Sequence, residues 1–373
     1  MTMVDSRARA AVRNLASYTP GTPIEEVRRR FKLSSVIKLA SNENALGPSP
    51  KALVALKRSA ADLHRYPDST CGSLRVRLAK TLKVAPESLV FGNGSDELIV
   101  LALRAFVDPG DHVVVASPTF LIYEQQARAC GAAVTVVPLK DLRYDLVAMR
   151  AAVSPHTKLV FIANPDNPTG TYVTKRELDA FLRALPPNTI AFLDEAYYEF
   201  VDADDYPKTL SYVKDHSVIV TRTFSKAYGL AGLRIGYGLS QPPIIAAMEA
   251  VREPFNVNSL AQAAASAALD DAAFLARTRR LMREGRRYLT KELSALKLPY
   301  EPSVTNFMLV RLGSNASLVA QGLLRQGVIV RGMSAWRLSE HLRVTIGTMA
   351  ENRRFIKALR IVLGAGRGAR GQS

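Results

Sequence analysis

Cysteine is scarce in this chain of 373 residues: Cys71 and Cys130 are the only two, too few for a disulfide framework or a zinc ligand set. Five histidines are scattered without an HExxH pair, so no metal site is expected. No apolar run approaches the roughly 20 residues needed to span a bilayer. The opening MTMVDSRARAAVRNL lacks the apolar centre of a secretory signal. The expectation is a cytoplasmic protein with no membrane partner. Two phosphate-binding fingerprints are also missing, since no GxxxxGK followed by Ser or Thr occurs and no GxGxxG is completed.

Positive charge is abundant, with a formal net charge of +17. That excess raises the question of nucleic acid. The basic residues are dispersed, however, as in Arg28–Arg30, Arg279–Arg280 and Arg353–Arg354, and no RNP-like aromatic pattern or zinc-finger spacing accompanies them. A solvated basic surface that favours anionic ligands is the simpler reading. At 48% hydrophobic and 22% charged residues, the composition is that of a globular protein large enough for two domains. The glycine-rich end, GAGRGARGQS from Gly364, reads as a disordered tail over 364–373.

What organises the chain is a series of short apolar runs, each ending in polar residues or glycine. Leu89–Phe91 leads into GNGSDE, Val113–Val115 into ASPTF and Leu159–Ile162 into ANPDNPTG. Ile190–Leu193 leads into DEAYYEF, and Val218–Val220 into TRTFSKAYG. Helical stretches such as Glu97–Phe106 and Lys175–Ala184 lie between them. Strands buried on both faces and alternating with helices predict an α/β fold around a mostly parallel sheet. Ligands in such sheets bind beyond the carboxyl ends of the strands, where these polar clusters fall. Ala261–Ala276 reads as one helix. Strand-like runs at Phe307–Val310, Val328–Val330 and Leu342–Ile346, with helices near Ser317–Arg325 and Asn352–Val362, predict a smaller α+β domain. The residues before Leu39 are expected to pack against it.

Three features carry chemistry. GNGSDE (Gly92–Glu97) follows a strand and opens a helix, so its backbone N–H groups either receive an anion such as phosphate or are capped by Ser95 or Asp96. Asp194 ends an apolar strand, and Lys226 follows the next strand and turn. Taken singly, such an Asp is usually a cap and such a Lys is usually solvated. Together they meet a demand of pyridoxal-phosphate (PLP) chemistry: a lysine that carries the cofactor as a Schiff base, and an acid that keeps the pyridine nitrogen protonated.

The segment RTFSKAYGLAGLRIGY (Arg222–Tyr237) closely resembles the lysine-bearing signature of class I/II aminotransferases. NPDNPTG (Asn164–Gly170) and DEAYYEF (Asp194–Phe200) resemble that family's other two markers, and the likeness extends from KLASNENALGPSP at Lys38 to LRVTIGT at Leu342. RYPD (Arg65–Asp68), GNGSDE, PFNVN (Pro254–Asn258) and GVIVR (Gly327–Arg331) are most similar to the histidinol-phosphate branch. The resemblance implies fold type I of the PLP-dependent transferases. Its large PLP-binding domain, over 40–255, would hold a mostly parallel seven-stranded sheet, and 1–39 with 256–363 would form the small domain.

The resemblance also implies roles. Lys226 would bind the cofactor and shuttle protons, and Asp194 would pair with the ring nitrogen. Asn167 and Tyr197 would hydrogen-bond the phenolic oxygen, and Phe120 would stack on the ring. Ser95 and Asp96, through backbone N–H groups, with Ser225 and Arg234 would hold the phosphate. Tyr66 would reach that phosphate from the neighbouring subunit of a homodimer. Among substrate residues, Arg343 would take the carboxylate of glutamate or 2-oxoglutarate, and Arg331 and Tyr18 the phosphate of histidinol phosphate. Ala45 and Asp166 depart from the family pattern (Pro and Asn are usual) without removing an implied contact. The stretch around Trp336 is harder to match. The activity implied is transamination of histidinol phosphate with 2-oxoglutarate in histidine biosynthesis. An aromatic amino-acid aminotransferase, or a decarboxylase of a phosphorylated amino acid, are the alternatives on the same fold. A basic nucleic-acid-binding protein on an inactive scaffold is the alternative from another class.

Overall fold

The computed structural model describes residues 7–13, 15, 17 and 21–368. Among them, eleven strands form two sheets: β1 (Ile37–Leu39), β2 (Leu89–Gly92), β3 (His112–Ser117), β4 (Ala133–Pro138), β5 (Thr157–Ala163), β6 (Ile190–Asp194), β7 (Val218–Thr223), β8 (Gly236–Leu239), β9 (Phe307–Arg311), β10 (Val328–Gly332) and β11 (His341–Thr345). The large sheet has the order β2-β8-β7-β6-β5-β3-β4, and only β8 runs against its neighbours. The expected seven-stranded, mostly parallel sheet is therefore present. Its inner strands have apolar centres because helices cover both faces: Val113–Val115, Phe161, Ile162, Phe192 and Leu193 are fully buried.

The small sheet has the order β1-β10-β11-β9, with β1 parallel to β10 and the remaining pairs antiparallel. Ile37–Leu39 thus enter the small sheet beside β10. Its core gathers Phe307, Leu323, Leu342 and Phe355, together with Tyr197 and Ala227 from the large sheet's loops.

Helix boundaries differ from expectation in informative ways. The helix expected from Glu97 begins at Ser95, because Gly94 adopts φ +85 and turns the chain directly off β2. The Ala261–Ala276 helix is two helices, Ser259–Leu269 and Ala272–Ala295. Asp271 causes the break: its side chain accepts a hydrogen bond from the Phe274 N–H and so caps a new helix. The alanines of the first helix, including Ala261, Ala264 and Ala268, pack with Leu74, Phe91 and Leu239 beside the large sheet. By packing this helix sides with the large domain, although residues from 256 onward were expected in the small one. We therefore place the division at Asp270–Asp271. The final helix, Met349–Gly368, runs past Gly364, where a disordered tail was expected to begin. No helix among the described residues is long and apolar enough to cross a membrane.

Asp271 ties two helix N-termini together. Ser49 caps the helix Pro50–Ser59 and donates its hydroxyl to the Asp271 carboxylate at 2.6 Å. Asp271→Ala should therefore lower stability by about 1–2 kcal/mol, read as a shift in the denaturant midpoint with an unchanged slope.

Candidate active site

Five loops converge at the carboxyl rim of the large sheet. They follow β2, β3, β5, β6 and β7, and together they line one cavity of about 370 Å³. Ser95 and Asp96 come from the first loop, Phe120 from the second and Asn167 from the third. Asp194, the last residue of β6, and Tyr197 come from the fourth, while Ser225, Lys226 and Arg234 follow β7. Apart from Tyr66, every cofactor residue expected from the sequence lines this one space.

Asp194 forms the acidic end. It sits on the central strand of the sheet and is 6% exposed. Burial pushes its carboxyl up to about 6, opposed by a 2.6 Å hydrogen bond from the Tyr123 hydroxyl and by the Ala196 N–H at 3.0 Å. No basic side chain among the described residues forms an ion pair with it. Such an acid is suited to a cationic N–H donor supplied from within the cavity. Tyr123, which sequence reasoning missed, lies in the first turn of the helix Ile122–Cys130, three residues after Phe120.

The opposite end is built for an anion. The Arg234 guanidinium donates to Asp96 at 3.2 Å and to Ser225 at 3.5 Å. A side chain on Gly94 would place its Cβ 2.3 Å from that guanidinium. The glycine therefore lets the arginine lie flat against the backbone at the start of the helix Ser95–Phe106, whose first N–H groups face the same space. The Asp96 side chain is thus paired with Arg234, whereas the expectation from sequence concerned its backbone N–H.

Lys226 stands where this cavity meets a second, of about 110 Å³, lined also by Ser41, Arg331, Trp336 and Arg343. Phe120, Asn167 and Tyr197 line both. The Lys226 ammonium donates to the Ser41 carbonyl at 3.2 Å and lies 5.8 Å from the Tyr197 ring centre. Burial, and then the charge of Arg343, lower its pKa to about 8. Near neutrality about a tenth is then the free amine, the form that attacks a carbonyl.

A third group of contacts holds the partition between the cavities. Arg343 donates to the Asn167 side-chain oxygen and, at 3.0 Å, to the Ala40 carbonyl. With its oxygen engaged, Asn167 has its NH₂ left to offer. The Tyr197 hydroxyl accepts from Asn42 at 2.9 Å, and burial pushes that phenol up to about 12, with Arg343 pulling the other way. Asn42 also accepts from the Thr345 hydroxyl at 3.1 Å. This link across the two sheets could not be read from local pattern. Asp166, beside Asn167, is fully buried and accepts from the hydroxyls of Thr119 at 2.6 Å and Thr169 at 2.8 Å. Its carboxylate therefore makes contacts that suit either Asp or Asn.

One expected residue among those described is not in these cavities: Tyr66 is 84% exposed and stacks on Phe255, with 4.7 Å between ring centres. Tyr18 lies outside the described residues.

Residues 34–359 match the family model for aminotransferase class I and II. The chain is 47% identical to histidinol-phosphate aminotransferase of Moorella thermoacetica over 359 residues, covering 96% of this chain and 93% of the relative. It is 45% identical to the enzyme of the same name from Symbiobacterium thermophilum over 362 residues, 97% of this chain and 100% of the relative. Among solved structures it is similar to histidinol-phosphate aminotransferase from Sinorhizobium meliloti in complex with pyridoxal-5'-phosphate. That likeness has a TM-score of 0.88 at 32% identity, covering 97% of this chain and 99% of the other.

The lowered lysine pKa is open to direct measurement. In cofactor-stripped protein, acylation of Lys226 should rise with pH through a midpoint near 8. Solvated lysines should titrate near their ordinary value of about 10.4. Site-resolved mass spectrometry checks this, and a Lys226 midpoint at the solvated value would contradict the electrostatic account.

Proposed function

The chain belongs to the aminotransferase class I and II family, and on that footing we propose that it transfers the amino group of histidinol phosphate to 2-oxoglutarate, giving imidazole-acetol phosphate and glutamate, with PLP as cofactor. The observation that supports this most is the pair of cavities meeting at Lys226. One offers an unpaired buried acid at one end and an anion cradle at the other. The second presents two arginines to an incoming anion.

The residues fit PLP. Asp194 would hold a proton on the ring nitrogen, the cation its raised pKa calls for, and Tyr123 would keep the carboxylate oriented. Tyr197 and the Asn167 amide would donate to the phenolic oxygen, and Phe120 would stack on the ring. The N–H groups of Ser95 and Asp96, with Ser225 and Arg234, would hold the phosphate. When bound, the cofactor supplies an aldehyde for amine exchange and a ring that withdraws electrons from the substrate Cα. Lys226 Nζ would hold the cofactor through that aldehyde, and as a free amine beside the substrate it would take the Cα proton and return it on the product side.

Arg343 and Arg331 would receive the phosphate of the donor, and Arg343 the carboxylate of glutamate or 2-oxoglutarate in the second half-reaction. One guanidinium serves both anions because its planar fork matches carboxylate and phosphate alike. Tyr18 would close over the same group. We further propose a cytoplasmic homodimer in which Tyr66 completes the phosphate site of the neighbouring subunit. Its exposure, away from its own cavity, supports that reading.

Lys226→Ala should reduce transamination by about a hundredfold to ten-thousandfold and abolish the borohydride-sensitive yellow colour of the purified enzyme. Unchanged turnover and colour would refute the role given to Lys226. Arg331→Ala should raise KM for histidinol phosphate by roughly tenfold to a hundredfold while affecting glutamate much less. Equal weakening of both would exclude a dedicated phosphate contact. A substrate panel decides the function itself: kcat/KM for histidinol phosphate should far exceed that for phenylalanine, and CO₂ should not be released.

A further inference from the structure

The antiparallel pairing of β10 and β11 sets Arg331 directly opposite Arg343. Like charges in direct cross-strand register disfavour a sheet. A bound anion relieves that repulsion only while it is bound. Between turnovers the protein itself must hold two guanidiniums side by side.

Trp336 is placed to do this. Its ring centre lies 5.2 Å from the guanidinium carbon of Arg331 and 5.8 Å from that of Arg343. Both distances are within the roughly 6 Å reach of a cation–π contact. The ring is 2% exposed, packed with Leu309 and Met333 and against Leu121 and Leu142. Its indole N–H finds no acceptor among the described residues. Buried tryptophans usually partner that donor, so this one is positioned for its face rather than its N–H. Leu121 directly follows Phe120, so the same ring also braces the loop that lines both cavities.

We propose that Trp336 is a positioning residue for substrate recognition: its π face holds the Arg331–Arg343 pair in the arrangement that receives a phosphate dianion. Preference for a phosphorylated donor then depends on an aromatic ring acting through the two arginines. This rests on the amino-group transfer proposed above.

The test uses the holoenzyme with Trp336→Leu and Trp336→Phe. The Leu variant, which lacks a π face, should raise KM for histidinol phosphate roughly tenfold and change kcat by less than about twofold. Phe should restore most of the lost affinity. A KM unchanged in the Leu variant, or equal KM values in the Leu and Phe variants, would overturn the proposal. A second measurement needs no variant, because Trp336 is the only tryptophan in the chain. Titration of the unaltered holoenzyme with inorganic phosphate should change tryptophan emission saturably, over the range in which phosphate competes with histidinol phosphate. Competitive inhibition with unchanged emission would also overturn it. If the unaltered enzyme does not act on histidinol phosphate, the functional reading fails and takes this proposal with it. Normal turnover with an unmoved KM in Trp336→Leu removes the proposal alone.

Discussion

A carboxylate buried without a basic partner is the constraint around which the molecule is arranged. Asp194 and its neighbour Glu195 show two solutions to the same difficulty. Glu195 is fully buried and is met inside the protein by Arg222 at 2.8 Å and by the hydroxyls of Thr209 and Tyr206. Asp194 receives only the Tyr123 hydroxyl and the Ala196 N–H. Leaving such an acid uncompensated costs several kcal/mol, and the cavity beside it leaves room for a cation from outside the chain. The sheet order matters here, since the central strand carries Asp194 between strands on either side.

From that point the electrostatics run in one direction across the site. The acid lies at one end of the first cavity and Arg234 at the other, so a ligand with a cationic nitrogen and an anionic group has only one favourable orientation. Lys226 sits between this cavity and the arginines of the second. Burial and Arg343 lower the pKa of its amine, and Arg343 is also the group proposed above to receive an anion. Capture of an anion there diminishes the positive field on Lys226. Substrate arrival and lysine basicity are thereby linked through one guanidinium.

Much of this was legible in the sequence because it is local. Apolar runs of β-branched residues ending in polar clusters located the strands, and their common rim followed from parallel order. Gly92–Glu97, Asp194 and Lys226 stood at strand ends where chemistry is expected. What escaped had non-local causes. Asn42 contacts Tyr197 and Thr345 only because the small sheet folds back over the large one. Tyr123 carries no signal in the sequence, and its part comes from its hydroxyl meeting Asp194. The alanine-rich stretch concealed a break, because helix propensity gives no sign that Asp271 will cap a second helix rather than continue the first. Trp336 belonged to a segment matching no motif, and its relation to both arginines arises from strand register rather than sequence distance.

The parallel pairing of β1 with β10 has a consequence for how the chain is made. All strands of the large sheet have been synthesised by Leu239, whereas β1 must wait for residues 328–332 and the small sheet closes only with β11. Domains fold as units during translation, those nearer the N-terminus first. On the ribosome, the nascent polypeptide can therefore assemble the acid, the lysine and the anion cradle while Arg331 and Arg343 are still untranslated. Vectorial synthesis thus permits cofactor loading before the specificity pocket exists.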